Sequence, residues 1–439
     1  MHYKELKKAD IPQDILDTQI VNWKFRESVT FDHGKYCIRL TLTFQSGKTK
    51  NVQRGGFRSK KEALLAKDQI LLQLNNHTYI PFLFTAQEFW DYYLCYYMID
   101  EKHCSYNTFM SYKNVISYIY SVINPKTRMI DITREMLINV FLSYPSPWLR
   151  KQAYGVICGS FKVALQKNII ASNPSNSARD YVKKIKNEED KLAQKKRNRS
   201  FSPKELNSIL SKCKECDPDF YLFLLFSVST GVRISEERAL CFSDIDYINK
   251  TCTISRQLGR DFSNEGIENQ LVTRQFIPLK TKNANRTIPL PDFLLDELIL
   301  AKRRQEIEKQ NDELYLKDAD FIFTSCHGYP LSRGTEISIR FKRILSECGI
   351  DSSIYHWHDL RHTYATLLRH ENPKALAIIM GHGSHDFTEK VYIDTSKDIR
   401  GVEEMKYMNQ YIQQLIDETP LYYDLSSIQT VIDQLISRK

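Results

Sequence analysis

The chain has 439 residues, 42% hydrophobic and 26% charged, with a formal net charge of +9 and a pI of about 8.8. At roughly 150 residues per domain this length predicts about three domains, each able to bury its own core, and the composition excludes a disordered or low-complexity polymer. The longest apolar run, around residues 220–228, is far short of a membrane span, and the opening MHYKELKKADIPQ has no apolar signal core. The expectation is therefore a soluble intracellular protein with no membrane partner.

The positive charge is concentrated locally. Residues 1–61 hold 13 Lys/Arg against 6 Asp/Glu, and residues 182–200 hold 8 against 3. Such blocks are the electrostatic footprint of a polyanion binder, although solvated faces of an ordinary protein look similar. Ten cysteines are scattered without a framework spacing, which suggests reduced thiols. The one CxxC, Cys213 and Cys216, has no second pair to close a zinc site.

In chain order, the first segment alternates with a period of two. Trp23 and Phe25 share one strand face, opposite Lys24 and Arg26; Tyr36, Ile38, Leu40 and Leu42 oppose Cys37, Arg39, Thr41 and Thr43. A turn at Ser46-Gly47-Lys48 and a return strand over 49–53 follow, and Ser59 with Glu62 has capping-box spacing for a helix to about Leu74. Residues 1–78 thus predict a three-stranded sheet plus helix, an α+β domain with one basic face of the kind that enters a major groove. Lys24, Arg26, Arg39, Lys48, Lys50 and Arg54 are its candidate DNA contacts.

From Thr85, itself spaced for a capping box with Glu88, the periodicity becomes helical over 82–181, with helices expected near 85–98, 105–122, 132–142 and 147–167. Its dense aromatic residues suit core packing in an all-α domain. Residues 182–200, apolar-poor and basic, predict a linker. Ser202-Pro203-Lys204-Glu205 then opens a mainly α unit with a small β-sheet, residues 201–410, with β stretches at 252–258 and 272–278. Residues 411–439 predict a helical tail.

Four elements of that last unit carry chemistry. An apolar helix runs into Thr230-Gly231, followed by Arg233 and Glu236; a basic turn holds Lys280, Lys282 and Arg286; His358-Asp359-Leu360-Arg361-His362 comes third; and Gly381-His382 precedes Tyr392 by ten residues. Six of the eleven histidines fall between 355 and 392. His358 and His362, four apart, invite a zinc reading, but no Glu adjoins the first and the cation Arg361 sits between them, which opposes metal binding. No metal and no cofactor are expected.

Together and in this order, TGxRxSE, KTKxxxRTIPL, HDLRHTxATLL and GH-x9-Y resemble the tyrosine recombinases, the phage integrase family, and most resemble integrases of phages and conjugative transposons. The resemblance covers Ser202 to about Tyr392 residue by residue; upstream it is one of layout only. It implies a site-specific recombinase that breaks and rejoins double-stranded DNA at arm-type and core-type sites to integrate and excise a mobile element. It further implies a homotetramer on DNA, a DNA-bending accessory protein or excisionase, and residence at the nucleoid of a prokaryotic-type cell. Arg233 and Arg361 would clamp the phosphate, His358 would act as acid/base, His382 would donate a hydrogen bond to the phosphate, Lys280 would protonate the leaving 5′-oxygen, and Tyr392 would be the nucleophile. Glu236 would support the site, and Lys282 and Arg286 are further candidate DNA contacts. Lys282 competes with Lys280, and Tyr355 and Tyr364 lie near Tyr392 in sequence. A type IB topoisomerase and a catalytically silent DNA-binding regulator are the competing functions.

Overall fold

The computed structural model describes residues 11–26, 29–195, 199–260, 275–281, 284–317, 320–331, 334–368 and 373–381. His382, Tyr392, Lys282 and the expected 411–439 tail lie outside the described residues. The chain forms two compact units, 1–195 and 196–439.

In the first unit β1 (Ile20–Phe25), β2 (Thr30–Asp32), β3 (Lys35–Phe44) and β4 (Thr49–Phe57) form one antiparallel sheet. Strands β1 and β2 pair with successive parts of β3, opposite residues 40–44 and 35–37, while β4 pairs along the same stretch. The sheet has four strands where three were expected; the short β2, on the same edge of β3 as β1, is the addition. Alternation along β3 puts Ile38, Leu40, Leu42 and Phe44 into the core, where Ala63, Ile70 and Leu74 of helix α1 (Lys60–Asn75) cover them. Ser59 caps that helix by accepting from the Glu62 amide.

The helical part runs through α2 (Ala86–Tyr92), continued by π-helical Tyr93–Glu101, then α3 (Tyr106–Ile119), α4 (Arg134–Ser143) and α5 (Pro147–Gln166). Both halves of the Thr85/Glu88 capping box form. The aromatics do pack the core: Phe89, Trp90, Tyr92, Phe109, Phe141 and Phe161 are all fully buried, and the Trp90 indole donates to Ser160 Oγ at 3.1 Å.

The expected linker is a correction. Ser175–Lys195 is one helix, α6, packed on α4 and α5, so most of 182–200 belongs to the first unit. Ala178 and Val182, four apart, are completely buried beneath an otherwise charged exterior, and Glu189 pairs with Lys186 at 3.0 Å and with the buried Arg150 at 3.4 Å. A low apolar content was enough for one buried stripe.

The second unit is built around α8 (Pro218–Thr230), following α7 (Pro203–Cys216) with its Ser202/Glu205 capping box. Every residue of α8 from Phe220 to Thr230 is buried, as befits a helix apolar on all sides. Beyond the short α9 (Ile234–Glu237), strands β5 (Ile245–Asp246), β6 (Thr251–Ile254) and β9 (Arg286–Pro289) make one small sheet, and β7 (Arg256–Gly259) with β8 (Gln275–Pro278) makes a ribbon. Strand β9 was not expected; its residues read as part of the basic turn. Helices α10 (Asp292–Asn311), α11 (Gly334–Glu347), α12 (His358–Leu368) and α13 (Pro373–Met380) complete the described unit. Trp357 locks the start of α12 to α8, stacking on Phe223 with ring centroids 4.9 Å apart and donating to Ser227 Oγ at 3.1 Å.

Candidate active site

The site begins where α8 stops. Gly231 ends the helix in the left-handed conformation, φ +60°, and a Cβ there would lie 2.5 Å from the Tyr364 ring, so only glycine lets α8 and α12 approach this closely. The Gly231 carbonyl accepts from Arg361 Nη1 at 2.7 Å, while Arg361 Nη2 donates to Met380 O at 2.5 Å. Arg361 is thus buried, at 4% exposure, with its guanidinium oriented by two backbone carbonyls from separate elements.

Arg233 follows two residues after Gly231 and is one-third exposed. Its Nη1 pairs with Glu236 Oε1 at 2.7 Å, its backbone amide donates to Glu236 Oε2 at 3.1 Å, and its Nη2 reaches Gly381 O at 3.4 Å. The two arginines therefore converge on adjacent carbonyls, Met380 and Gly381, immediately before His382 in the sequence. Glu236 supports this from beneath. Burial alone would raise its carboxyl pKa, but the Arg286 and Arg233 guanidinia outweigh that and hold it below the usual range.

Lys280 is exposed on the turn between β8 and β9. The ribbon carrying that turn is tied to the arginine helix: Ser235 Oγ donates to Gln257 Oε1 at 3.1 Å, and Gln257 Nε2 donates to Pro278 O at 2.8 Å. His358 is exposed at the start of α12, its ring edge-to-face with His362 at 4.8 Å. Burial lowers the His362 pKa, with Arg361 adding to the effect. The other tyrosines near Tyr392 in sequence are placed as packing residues: Tyr364 is buried under Gly231, and Tyr355 stacks on Phe201 with centroids 4.3 Å apart.

Two candidate DNA contacts are placed differently from expectation. Arg286 is buried, its Nη2 bonded to Glu236 Oε2 at 2.8 Å, because the alternation of β9 turns it inward. Lys50 lies opposite Leu42, on the helix-covered face of the sheet, where its ammonium donates to Pro81 O at 3.0 Å and sits 3.7 Å over the Phe82 ring. Lys24, Arg26, Lys48 and Arg54 are exposed and Arg39 is half-exposed. Of these, Lys24, Arg26 and Arg39 share the uncovered sheet face with Thr41, Asn51 and Gln53, and Arg39 Nε donates to Gln53 Oε1 at 3.0 Å.

Sequence reasoning missed the carbonyls of Gly231, Met380 and Gly381, which carry no side-chain signal, and it missed Arg286 as Glu236's second partner. The in-out alternation of Arg286-Thr287-Ile288 was the available sign.

The stretch 199–398 matches the phage integrase family. The relatives found include a XerC-like tyrosine recombinase of Caldanaerobacter subterraneus, 27% identical over 53% of this chain and 58% of its own length. The transposase from transposon Tn916 of Enterococcus faecalis is 28% identical over 58% of this chain and 60% of its own. The integrase of Staphylococcus phage L54a reaches 32% over 37% of this chain and 44% of its own. The chain thus spans about 60% of the length of the first two relatives. In fold it resembles the Tn1549 transposon integrase solved with transposon right end DNA, with a TM-score of 0.56 and 19% identity over 71% of this chain and 96% of that one. The described residues show the fold expected: an N-terminal sheet with a helix, a helical region and a mainly helical second unit with small sheets.

Proposed function

We propose that this protein is a site-specific DNA recombinase that cuts and rejoins strands through a 3′-phosphotyrosyl intermediate, moving a genetic element into and out of double-stranded DNA. The observation that carries this reading is the convergence of Arg233 and Arg361 on the Met380–Gly381 carbonyls. Guanidinium forks match pairs of nonbridging phosphate oxygens and stay charged at every relevant pH, and phosphoryl transfer asks chiefly for such pre-oriented cations.

In the proposed reaction Tyr392 Oη forms the bond to the scissile phosphorus as the bond to the 5′-oxygen breaks. His358 takes the phenol proton and Lys280 delivers one to the departing 5′-oxygen. Attack by a second strand's 5′-hydroxyl reverses these steps, so the bond energy is kept and no nucleotide cofactor is consumed. An ordinary tyrosine has a pKa of about 10, which is why a base and a cationic site must assist it near neutrality. The uncovered sheet face with Lys24, Arg26 and Arg39 is the proposed reader of arm-type sites, the helical part the proposed core-site reader, and a DNA-bound homotetramer the proposed working assembly, with a DNA-bending protein or excisionase as accessory partner.

The test is to incubate the full chain with nicked duplexes drawn from a random library, isolate protein-linked DNA under denaturing conditions and sequence it. A defined sequence family attached at a 3′ end supports the proposal. Supercoil relaxation without recombinant product would favour the topoisomerase reading, and binding without any linkage would favour a silent regulator.

A further inference from the structure

We propose that Arg286 is a positioning residue for the phosphate clamp, a single buried guanidinium that sets Arg233 through Glu236 and at the same time fixes the turn from which both clamp arginines take their backbone acceptors. This rests on the strand-transfer reading above and goes beyond it, since Arg286 touches no DNA in that mechanism.

Three edges of the Arg286 guanidinium point to three elements. Nη2 pairs with Glu236 Oε2 at 2.8 Å, Nε donates to Ile379 O at 2.5 Å at the end of the helix Pro373–Met380, and Nη1 donates to Ala284 O at 2.8 Å within the turn that carries Lys280. Glu236 passes the first contact on, because its other oxygen holds Arg233 Nη1 at 2.7 Å. Ile379 passes on the second, because the next two carbonyls, Met380 and Gly381, accept from Arg361 and Arg233. The fit at that turn is close: Gly381 has φ +63°, and a Cβ on it would stand 3.0 Å from Arg286 Nη1 and 3.2 Å from Ala284 Cα.

A charge this deeply buried is costly unless it is paired and hydrogen-bonded, so Arg286 and Glu236, 3% and 1% exposed, each need the other. Arg286 has Nε, Nη1 and Nη2 each committed to an acceptor of the protein, so it is assigned no DNA phosphate to hold. Lysine is a poor replacement, because a point-like ammonium on a flexible stem cannot address three acceptors in one plane. With lysine at 286, Glu236 would be free to shift toward Arg233, and the 379–381 turn would lose its anchor.

The experiment uses the full chain and a nicked duplex of the sequence to which the wild-type protein becomes covalently attached. Single-turnover rates of adduct formation, DNA affinity and thermal melting are compared for wild type, Arg286→Lys, Glu236→Gln and the double variant. Arg286→Lys is expected to slow adduct formation by on the order of 10²-fold, comparable to losing one oriented donor, while affinity changes by less than about threefold because the phosphate cations themselves remain. The double variant is expected to be no slower than the worse single one, since both act through one chain of contacts. An unchanged rate for Arg286→Lys, or a double variant whose losses multiply, overturns the proposal while leaving the recombinase reading intact. A general loss of melting temperature with rate per bound complex preserved also overturns it, as that is what a purely structural arginine would give. No adduct from the wild-type protein on any library duplex would instead sink the reading itself, and this inference with it.

Discussion

Glu236 and Glu237 are neighbours, both fully buried, and their carboxyls move in opposite directions. Glu236, between two arginines, is held below the ordinary carboxylate pKa; Glu237 is pushed well above it by burial, which its hydrogen bond from Ser227 and the nearby Arg238 only partly oppose. For Glu237 the folded state binds the proton more tightly than the unfolded state, so its contribution to stability is present below about pH 4.3 and is lost as pH rises through the folded value. Glu237→Gln is therefore expected to melt progressively higher than wild type as pH is raised from 5 to 8; a constant difference would contradict this. Glu236 has the reverse sign, with stability present above the unfolded carboxylate pKa and lost as pH falls through the folded one. Gly231→Ala should cost about 2–4 kcal/mol, combining a left-handed alanine with a clash against Tyr364. An unaltered melting curve for that variant would mean the α8–α12 junction is looser than the distances indicate.

At the scale of elements, the features legible in the sequence are those set by neighbouring residues. Thr85/Glu88 and Ser202/Glu205 form their capping boxes because that geometry is closed within one turn, and the alternation predicts the buried face of β3 from Ile38 to Phe44 but fails at the register shift before it, where Cys37 is buried and Tyr36 half-buried. Lys50 escaped the same reasoning because its face depends on the register with β3, a partner strand the alternation of 49–53 does not specify. The helix Ser175–Lys195 escaped because its burial comes from α4 and α5, elements 40 residues and more away for some of its contacts, while its composition looks solvated. Among site residues, Arg233, Glu236, Lys280, His358 and Arg361 carried motif spacing, whereas the backbone acceptors and the inward turn of Arg286 arise only when distant segments meet. Val182→Asp tests the helix assignment: an unpaired charge at this buried position should cost about 3 kcal/mol or more. A linker would tolerate it without change in the melting temperature.

Over the whole molecule, the first unit carries a basic sheet face with Lys24, Arg26 and Arg39, and the second holds Arg233 and Arg361 on backbone carbonyls. If the sheet face with Lys24, Arg26 and Arg39 meets phosphates, replacing all three by alanine should reduce the slope of log affinity against log salt by about 2.7, at about 0.9 per phosphate, on a long duplex. The same slope for variant and wild type would remove this face from the DNA-binding surface. Among the described residues no helix is long and apolar enough to cross a membrane. Covalent chemistry at Tyr392 can be checked in a single comparison. Wild type and Tyr392→Phe are incubated with the library-derived duplex and separated on a denaturing gel, with native binding measured in parallel. A protein–DNA adduct is expected from wild type alone, with equal native binding by both. An adduct of undiminished yield from Tyr392→Phe would contradict this expectation.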